Sequence, residues 1–228
     1  MDNFLDTYYK KSIRLTPDGF SLYGLPENGN LKQAYYPSTE NALVTNLAPE
    51  FFGLEDNKQM ALNIIVSTRM PMLIPDIIYD DAKDKDFLRM QFDISQFGQS
   101  FNDPLGRYRS LFFLTQNEYS TLRELNCIPT FKSEVSIFYD FLRQQDSTNT
   151  VFLSVNESYA DFLVVQNGEP LLVNRTKHVE NVDILYYTIN CMQQMGLISP
   201  TLFIKHFGKS NKKLDDLLSQ YLDNIIIL

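Results

Sequence analysis

One local pattern occurs twice in this chain, and the repeat constrains the fold more than any other feature. The first copy runs Ser12-Ile13-Arg14-Leu15-Thr16, a turn at Pro17-Asp18, then Gly19-Phe20-Ser21-Leu22-Tyr23-Gly24 and an Asn28-Gly29 pair. The second runs Val151-Phe152-Leu153-Ser154-Val155, a turn at Asn156-Glu157-Ser158, then Tyr159-Ala160-Asp161-Phe162-Leu163-Val164 and an Asn167-Gly168 pair. Each copy reads strand, tight polar turn, strand, Asn-Gly hairpin, strand, because Asn and Gly accept the positive φ of a type I′ turn. Two such openings in 228 residues predict a duplicated α/β architecture.

The remaining elements follow from periodicity. In the first half, strands are expected over 12–16, 20–25 and 31–36, and a helix over 40–54. The β-branched run at 63–68 predicts a buried strand. A partly solvated helix is expected over 76–90, an irregular connection with room for a short strand over 92–107, a strand over 108–114 and a helix over 116–126. Pro129 then precedes an expected helix over 131–145, with Val135, Phe138 and Phe141-Leu142 on one face. In the second half, three strands over 150–176 precede a helix whose apolar face is marked by Val179, Val182, Leu185, Tyr186, Ile189 and Met192. Gly196 ends that helix. A strand over 201–206 and a last helix lined by Leu214, Leu217, Leu218, Tyr221, Leu222 and Ile225 complete the chain. The second half reads β-β-β-α-β-α most clearly. The expected division is 1–148 and 149–228, with an inserted subdomain around 60–108.

Composition excludes several function classes. The net charge is −8 and no basic block is present, which disfavours nucleic-acid binding. No apolar run approaches the length of a membrane span, and the acidic first residues do not form a signal peptide, so a cytoplasmic location is expected. Cys127 and Cys191 are isolated thiols, and with only His178 and His206 available no metal site is expected. No Walker A, HExxH or GxSxG pattern occurs. Adjacent aromatics at Tyr8-Tyr9, Tyr35-Tyr36 and Phe51-Phe52 cannot all face one core, which suits a protein-binding surface. The terminal Ile225-Ile226-Ile227-Leu228 is apolar enough to pack on the core or meet a partner.

On its two strand–turn–strand openings and the stretch 150–224, including Val182-Asp183-Ile184-Leu185-Tyr186-Tyr187, the chain resembles a small family of uncharacterised bacterial proteins. That family has a shortened actin-like ATPase fold. The wider superfamily is ribonuclease H-like and includes actin, sugar kinases and chaperone ATPases. It also includes pilus-assembly and cell-division proteins. The resemblance implies two β-β-β-α-β-α halves with nucleotide between them. It also implies two phosphate loops of the Asp-x-Gly kind and a glycine-rich adenosine loop.

Each loop is degenerate here. The first, Thr16-Pro17-Asp18-Gly19, has its Asp and Gly in the order of a plain β-turn, and Pro17 lacks an N–H. The second, Asn156-Glu157-Ser158-Tyr159, contains no glycine and is shorter than a working loop. The adenosine position, Lys205-His206-Phe207-Gly208, has one glycine and two bulky side chains. The expectation is therefore a non-catalytic fold with no cofactor, acting through an unidentified protein partner or as a homodimer. The alternative is a divergent magnesium-dependent ATPase or phosphotransferase using Asp18, Glu157 and Asp161, since such chemistry needs convergent carboxylates. A small-molecule sensor is a third reading. His206 as a ligand contact is weighed against a structural histidine.

Overall fold

A computed structural model describes residues 8–24, 32–38, 43–53, 60–145, 147–208 and 210–228. The chain divides into two compact units, Met1–Ile137 and Phe138–Leu228. The division falls within one helix rather than at 148.

Unit 1 opens with β1 (Ser12–Thr16), β2 (Gly19–Gly24) and β3 (Lys32–Pro37), an antiparallel meander. Helix α1 (Val44–Phe52) follows, and β4 (Met60–Val66) then pairs parallel to β1. After an additional layer come α3 (Gln116–Arg123), β8 (Cys127–Ser133) and α4 (Glu134–Leu142). The sheet order is β3-β2-β1-β4-β8. Its core face packs Ile13, Leu22, Leu62, Ile64 and Val66 with Ala48 of α1 and Leu122 of α3. Thr115 starts α3 with a capping box: its hydroxyl accepts from Glu118 N, while the Glu118 carboxylate accepts from Thr115 N.

The additional layer is a three-stranded antiparallel sheet of β5 (Met72–Pro75), β6 (Phe97–Leu105) and β7 (Tyr108–Thr115), ordered β5-β7-β6. Helix α2 (Asp84–Arg89) packs Leu88 against Ile74, Leu111 and Phe113 on one face. Phe112 and Leu114 on the other face join the core of the first sheet. The layer therefore spans Met72–Thr115, offset from 60–108, because 60–66 belongs to the first sheet.

Unit 2 repeats the plan. β9 (Asn149–Val155), β10 (Tyr159–Gln166) and β11 (Glu169–Lys177) form the meander, α5 (Asn181–Gln194) crosses over, and β12 (Thr201–His206) pairs parallel to β9. Helix α6 (Lys212–Ser219) leads to β13 (Ile225–Ile227), parallel to β12. The order β11-β10-β9-β12-β13 matches that of the first sheet position for position. The hairpin pair Asn167 and Gly168 has φ of 51° and 78°, the positive values a type I′ turn requires. Asn28-Gly29 lies outside the described residues.

Several local expectations are corrected. Phe97–Leu105 is a nine-residue strand, longer than the short strand allowed for in the irregular connection over 92–107. Pro104 is tolerated because β6 is an edge strand, and Gly98 sits at a register shift, where a Cβ would lie 2.7 Å from the Thr115 backbone. Residues 127–133 form β8, with Pro129 again on an edge strand, so the helix expected from 131 begins at Glu134. The segment 76–90 is two short 3-10 turns and α2. Val179 and Val182 do not face the core: Ile184, Leu185, Thr188, Cys191 and Met192 do. Ile225 leaves the last helix and starts β13, where it packs on the core while Ile226 and Ile227 stay half exposed.

Candidate functional site

The turns at the ends of β1 and β9 occupy equivalent places and have equal length. Thr16 pairs with Gly19 across the first, and Asn156 N donates to Tyr159 O across the second at 2.9 Å. Thr16 therefore corresponds to Asn156, Gly19 to Tyr159, Arg14 to Ser154 and Ser21 to Asp161.

At the first turn, the Thr16 hydroxyl donates to Gly19 O at 3.0 Å. Asp18 O accepts from Ser38 N at 2.6 Å and from the Tyr35 hydroxyl at 3.1 Å, so β3 closes over the turn. A Cβ at Gly19 would lie 2.1 Å from Tyr36 O, and the residue has a φ of 148°. Glycine is required here by the crossing of the neighbouring strand.

Beneath this turn lies a buried ionic cluster. Arg14 on β1 and Glu134 at the start of α4 are each 2% exposed and joined by two bonds, Nε to Oε1 at 2.5 Å and Nη2 to Oε2 at 2.9 Å. The Tyr9 hydroxyl also donates to Glu134 Oε1, at 2.8 Å. Burial alone pushes the Glu134 carboxyl up, but the Arg14 guanidinium, with hydrogen bonds from Arg14, Ser67 and Tyr9, holds it below the usual carboxylate range. Burial pushes the Tyr23 phenol up to about 12, against the pull of Arg14.

At the second turn, Glu157 and Ser158 are exposed, while Asn156 and Tyr159 are buried. Asn156 O accepts from His178 Nε2 at 3.1 Å, which fixes the proton on that nitrogen in the neutral ring. The Asn156 amide donates to the Ser154 hydroxyl at 3.2 Å, and Ser158 O accepts from His178 N at 3.2 Å. Asp161 is 4% exposed and held by both arms of Arg175 from β11, at 2.6 and 2.8 Å. The Arg175 guanidinium lies 4.1 Å from the centre of the Tyr159 ring.

At the third position, His206 is turned to Asp215 of α6, Nε2 to Oδ1 at 2.7 Å. Phe207 N donates to Val155 O at 2.8 Å. Gly208 has a φ of 116° with open space around it. Asn211 caps α6 by accepting from Leu214 N at 3.1 Å and exchanges amide bonds with Asn181.

Asp18 thus lies in unit 1, and Glu157 and Asp161 in unit 2, with Asp161 bound to Arg175. Among the described residues no three His, Cys, Asp or Glu side chains group closely enough to hold a metal ion, and no helix is long and apolar enough to cross a membrane. The residues that organise these turns and escaped the sequence reading are Arg14, Glu134, Tyr9 and Arg175. A signal for Arg14 existed: it is the lone charge in Ser12–Thr16, with apolar neighbours on both sides. Its partner lies 120 residues away and left no local sign.

The two repeated sheets define an actin-like ATPase fold, built from duplicated ribonuclease H-like halves. The chain belongs to the family described as protein of unknown function DUF3822, whose model matches residues 2–225. It is similar to a Bacteroides thetaiotaomicron protein with an actin-like ATPase fold and unknown function, at 18% identity and a TM-score of 0.69, over 100% of this chain and 93% of that one. It is also similar to a structure of the PilM–PilN type IV pilus biogenesis complex, at 13% identity and a TM-score of 0.60, over 95% and 87% of the two chains. The ethanolamine utilisation protein EutJ of Carboxydothermus hydrogenoformans matches at 4% identity and a TM-score of 0.53, over 96% and 84%. No curated protein matches the sequence.

Proposed function

We propose that this chain is a non-catalytic protein-binding member of the actin-like fold that has given up nucleotide binding. One observation carries the reading: at both phosphate-loop positions the turn is engaged by the protein itself. Pro17 offers no donor, Asp18 O is taken by Ser38 and Tyr35, and Gly19 is packed against β3. In the second turn, Tyr159 stands where a loop needs a glycine, and Arg175 neutralises Asp161. A phosphate nest needs successive backbone N–H groups turned outward, and neither turn offers a glycine free for that conformation. The similar PilM–PilN structure is a complex of two proteins, which accords with a protein-binding role. Free thiols at Cys127 and Cys191 fit a cytoplasmic setting.

The test is thermal melting with and without millimolar Mg-ATP, ADP and slowly hydrolysed analogues. The expected result is no shift with any nucleotide. A ligand at a hundred times its dissociation constant adds about 2.7 kcal/mol, so bound nucleotide would raise the midpoint by several degrees. A magnesium-dependent rise abolished by Asp18→Ala or Asp161→Ala would replace this reading with a divergent ATPase.

A further inference from the structure

The additional layer of unit 1 holds a concavity of about 530 Å³, the size of a small-molecule site, lined by residues between Lys85 and Phe97. Part of its lining is apolar. Phe92, Ile94 and Phe97 are half-buried and pack on the core of the layer. Phe92 meets Phe113 edge to face at 5.6 Å, and Phe97 stacks on the same ring at 6.0 Å. Those contacts hold the lining rings in place before anything binds, which lowers the entropy lost on binding. The rest of the lining is charged. Lys85 and Arg89 stand one turn apart on α2, both exposed. The Lys85 ammonium lies over the Phe97 ring, 4.5 Å from its centre, and makes no ion pair among the described residues. Arg89 bonds Asp86 at 3.1 Å, but both side chains are largely exposed, and a pair so solvated is readily exchanged. The lining has one acid, Asp93, and both its oxygens are engaged in its own turn: Oδ1 accepts from Ser95 N at 2.9 Å and Oδ2 from Ser95 Oγ at 3.2 Å.

We propose that this concavity binds a small amphipathic organic anion. A flat apolar body would lie on Phe92, Ile94 and Phe97, and a single carboxylate-type head would meet Lys85 and Arg89. Charge complementarity selects the occupant. The chain as a whole carries a net charge of −8, yet here two cations face one carboxylate that is already bonded. Like charges one turn apart on a helix repel, and an anionic head between them relieves that repulsion. A cationic ligand would meet Lys85 and Arg89 unfavourably, and an anion without an apolar body would leave the rings uncovered. The site shares no residue with the turns after β1 and β9 or with the segment after β12, so the inference goes beyond the protein-binding reading and does not depend on it.

The experiment is a fluorescence titration of the full chain with anilinonaphthalene sulfonate, a flat anion whose emission rises in apolar surroundings. Wild type should bind it saturably at one site per chain, and naphthoate should displace it. Lys85→Glu and Arg89→Glu should each weaken binding at least about tenfold, since each turns attraction for the head into repulsion. Lys83→Glu, on the preceding 3-10 turn and outside the lining, should leave it unchanged. The neutral phenylnaphthylamine, which lacks the head, should bind wild type more weakly and be indifferent to both reversals. All three positions are exposed, so melting points should hold and separate lost binding from misfolding. An unsaturable signal in wild type would overturn the inference, as would binding that is equal in wild type and both reversals. The nucleotide melting experiment turns on Asp18→Ala and Asp161→Ala instead, so the two readings fail separately.

Discussion

The two units solve the same problem at the same sheet position with opposite arrangements of charge. In unit 1 the strand after the turn is uncharged at Ser21, and the buried charge is Arg14 on the central strand, paired to a helix 120 residues away. In unit 2 the central strand has Ser154, and the buried charge is Asp161 on the following strand, paired to its cross-strand neighbour Arg175. The first pair is sealed at 2% exposure on both sides, whereas Arg175 keeps 16%. A sealed long-range pair ties separate elements together, and removing one partner leaves a buried charge without compensation. A cross-strand pair with access to water ties only one hairpin and tolerates loss better.

The largest expected effect is therefore in unit 1. Glu134→Ala strands Arg14 and should cost about 4 kcal/mol, read as a fall in urea midpoint and a drop of about 10 °C in Tm. The same pair sets an acid limit. The Glu134 carboxyl is held below its unfolded value, so its contribution is complete above the ordinary carboxylate range near pH 4.5 and is lost as pH falls through the depressed folded value. Wild type should lose stability in that window, and Glu134→Ala should show a shallower acid limb. A parallel decline in both would break the assigned role.

Next in size is Gly19→Ala. The new Cβ meets Tyr36 O on a backbone that L-residues avoid, and the cost should be about 3 kcal/mol. Unit 2 carries Tyr159 at the equivalent place, so the sensitivity belongs to β3 crossing over the first turn. A neutral Gly19→Ala would remove that distinction. Smallest is Asp161→Asn, which keeps the shape and leaves Arg175 near water. We expect about 2 kcal/mol, roughly half the effect of Glu134→Ala. An equal or larger loss would reverse the ranking of the two units.

The duplicated plan was legible in the sequence because it rests on local signals: turn residues, alternation and the hairpin at Asn167-Gly168. Unit 2 read more clearly because its elements follow one another without interruption. Strands β6 and β8 were hidden because each contains a proline, a strand breaker everywhere except at an edge, and edge position is decided by tertiary pairing. Val182 illustrates the opposite error: its spacing fits the buried face of α5, yet the helix is rotated so that Ile184 and Leu185 lie inward. At the turns, missing phosphate glycines were visible at once. The ion pairs beneath them were not, because Arg14 and Glu134 meet only when β1 and the start of α4 come together.

The additional layer also shapes the order of folding. In unit 1, β4 must find β8 across about 60 intervening residues, whereas in unit 2 β12 and β13 are separated by about 18. Closing the longer loop costs about 1 kcal/mol more, and the parallel pairing that rewards it comes late. The half that leaves the ribosome last should therefore be the first to complete its sheet on refolding. In pulse-labelled hydrogen exchange, amides bonded between β12 and β13 should gain protection before those bonded between β4 and β8.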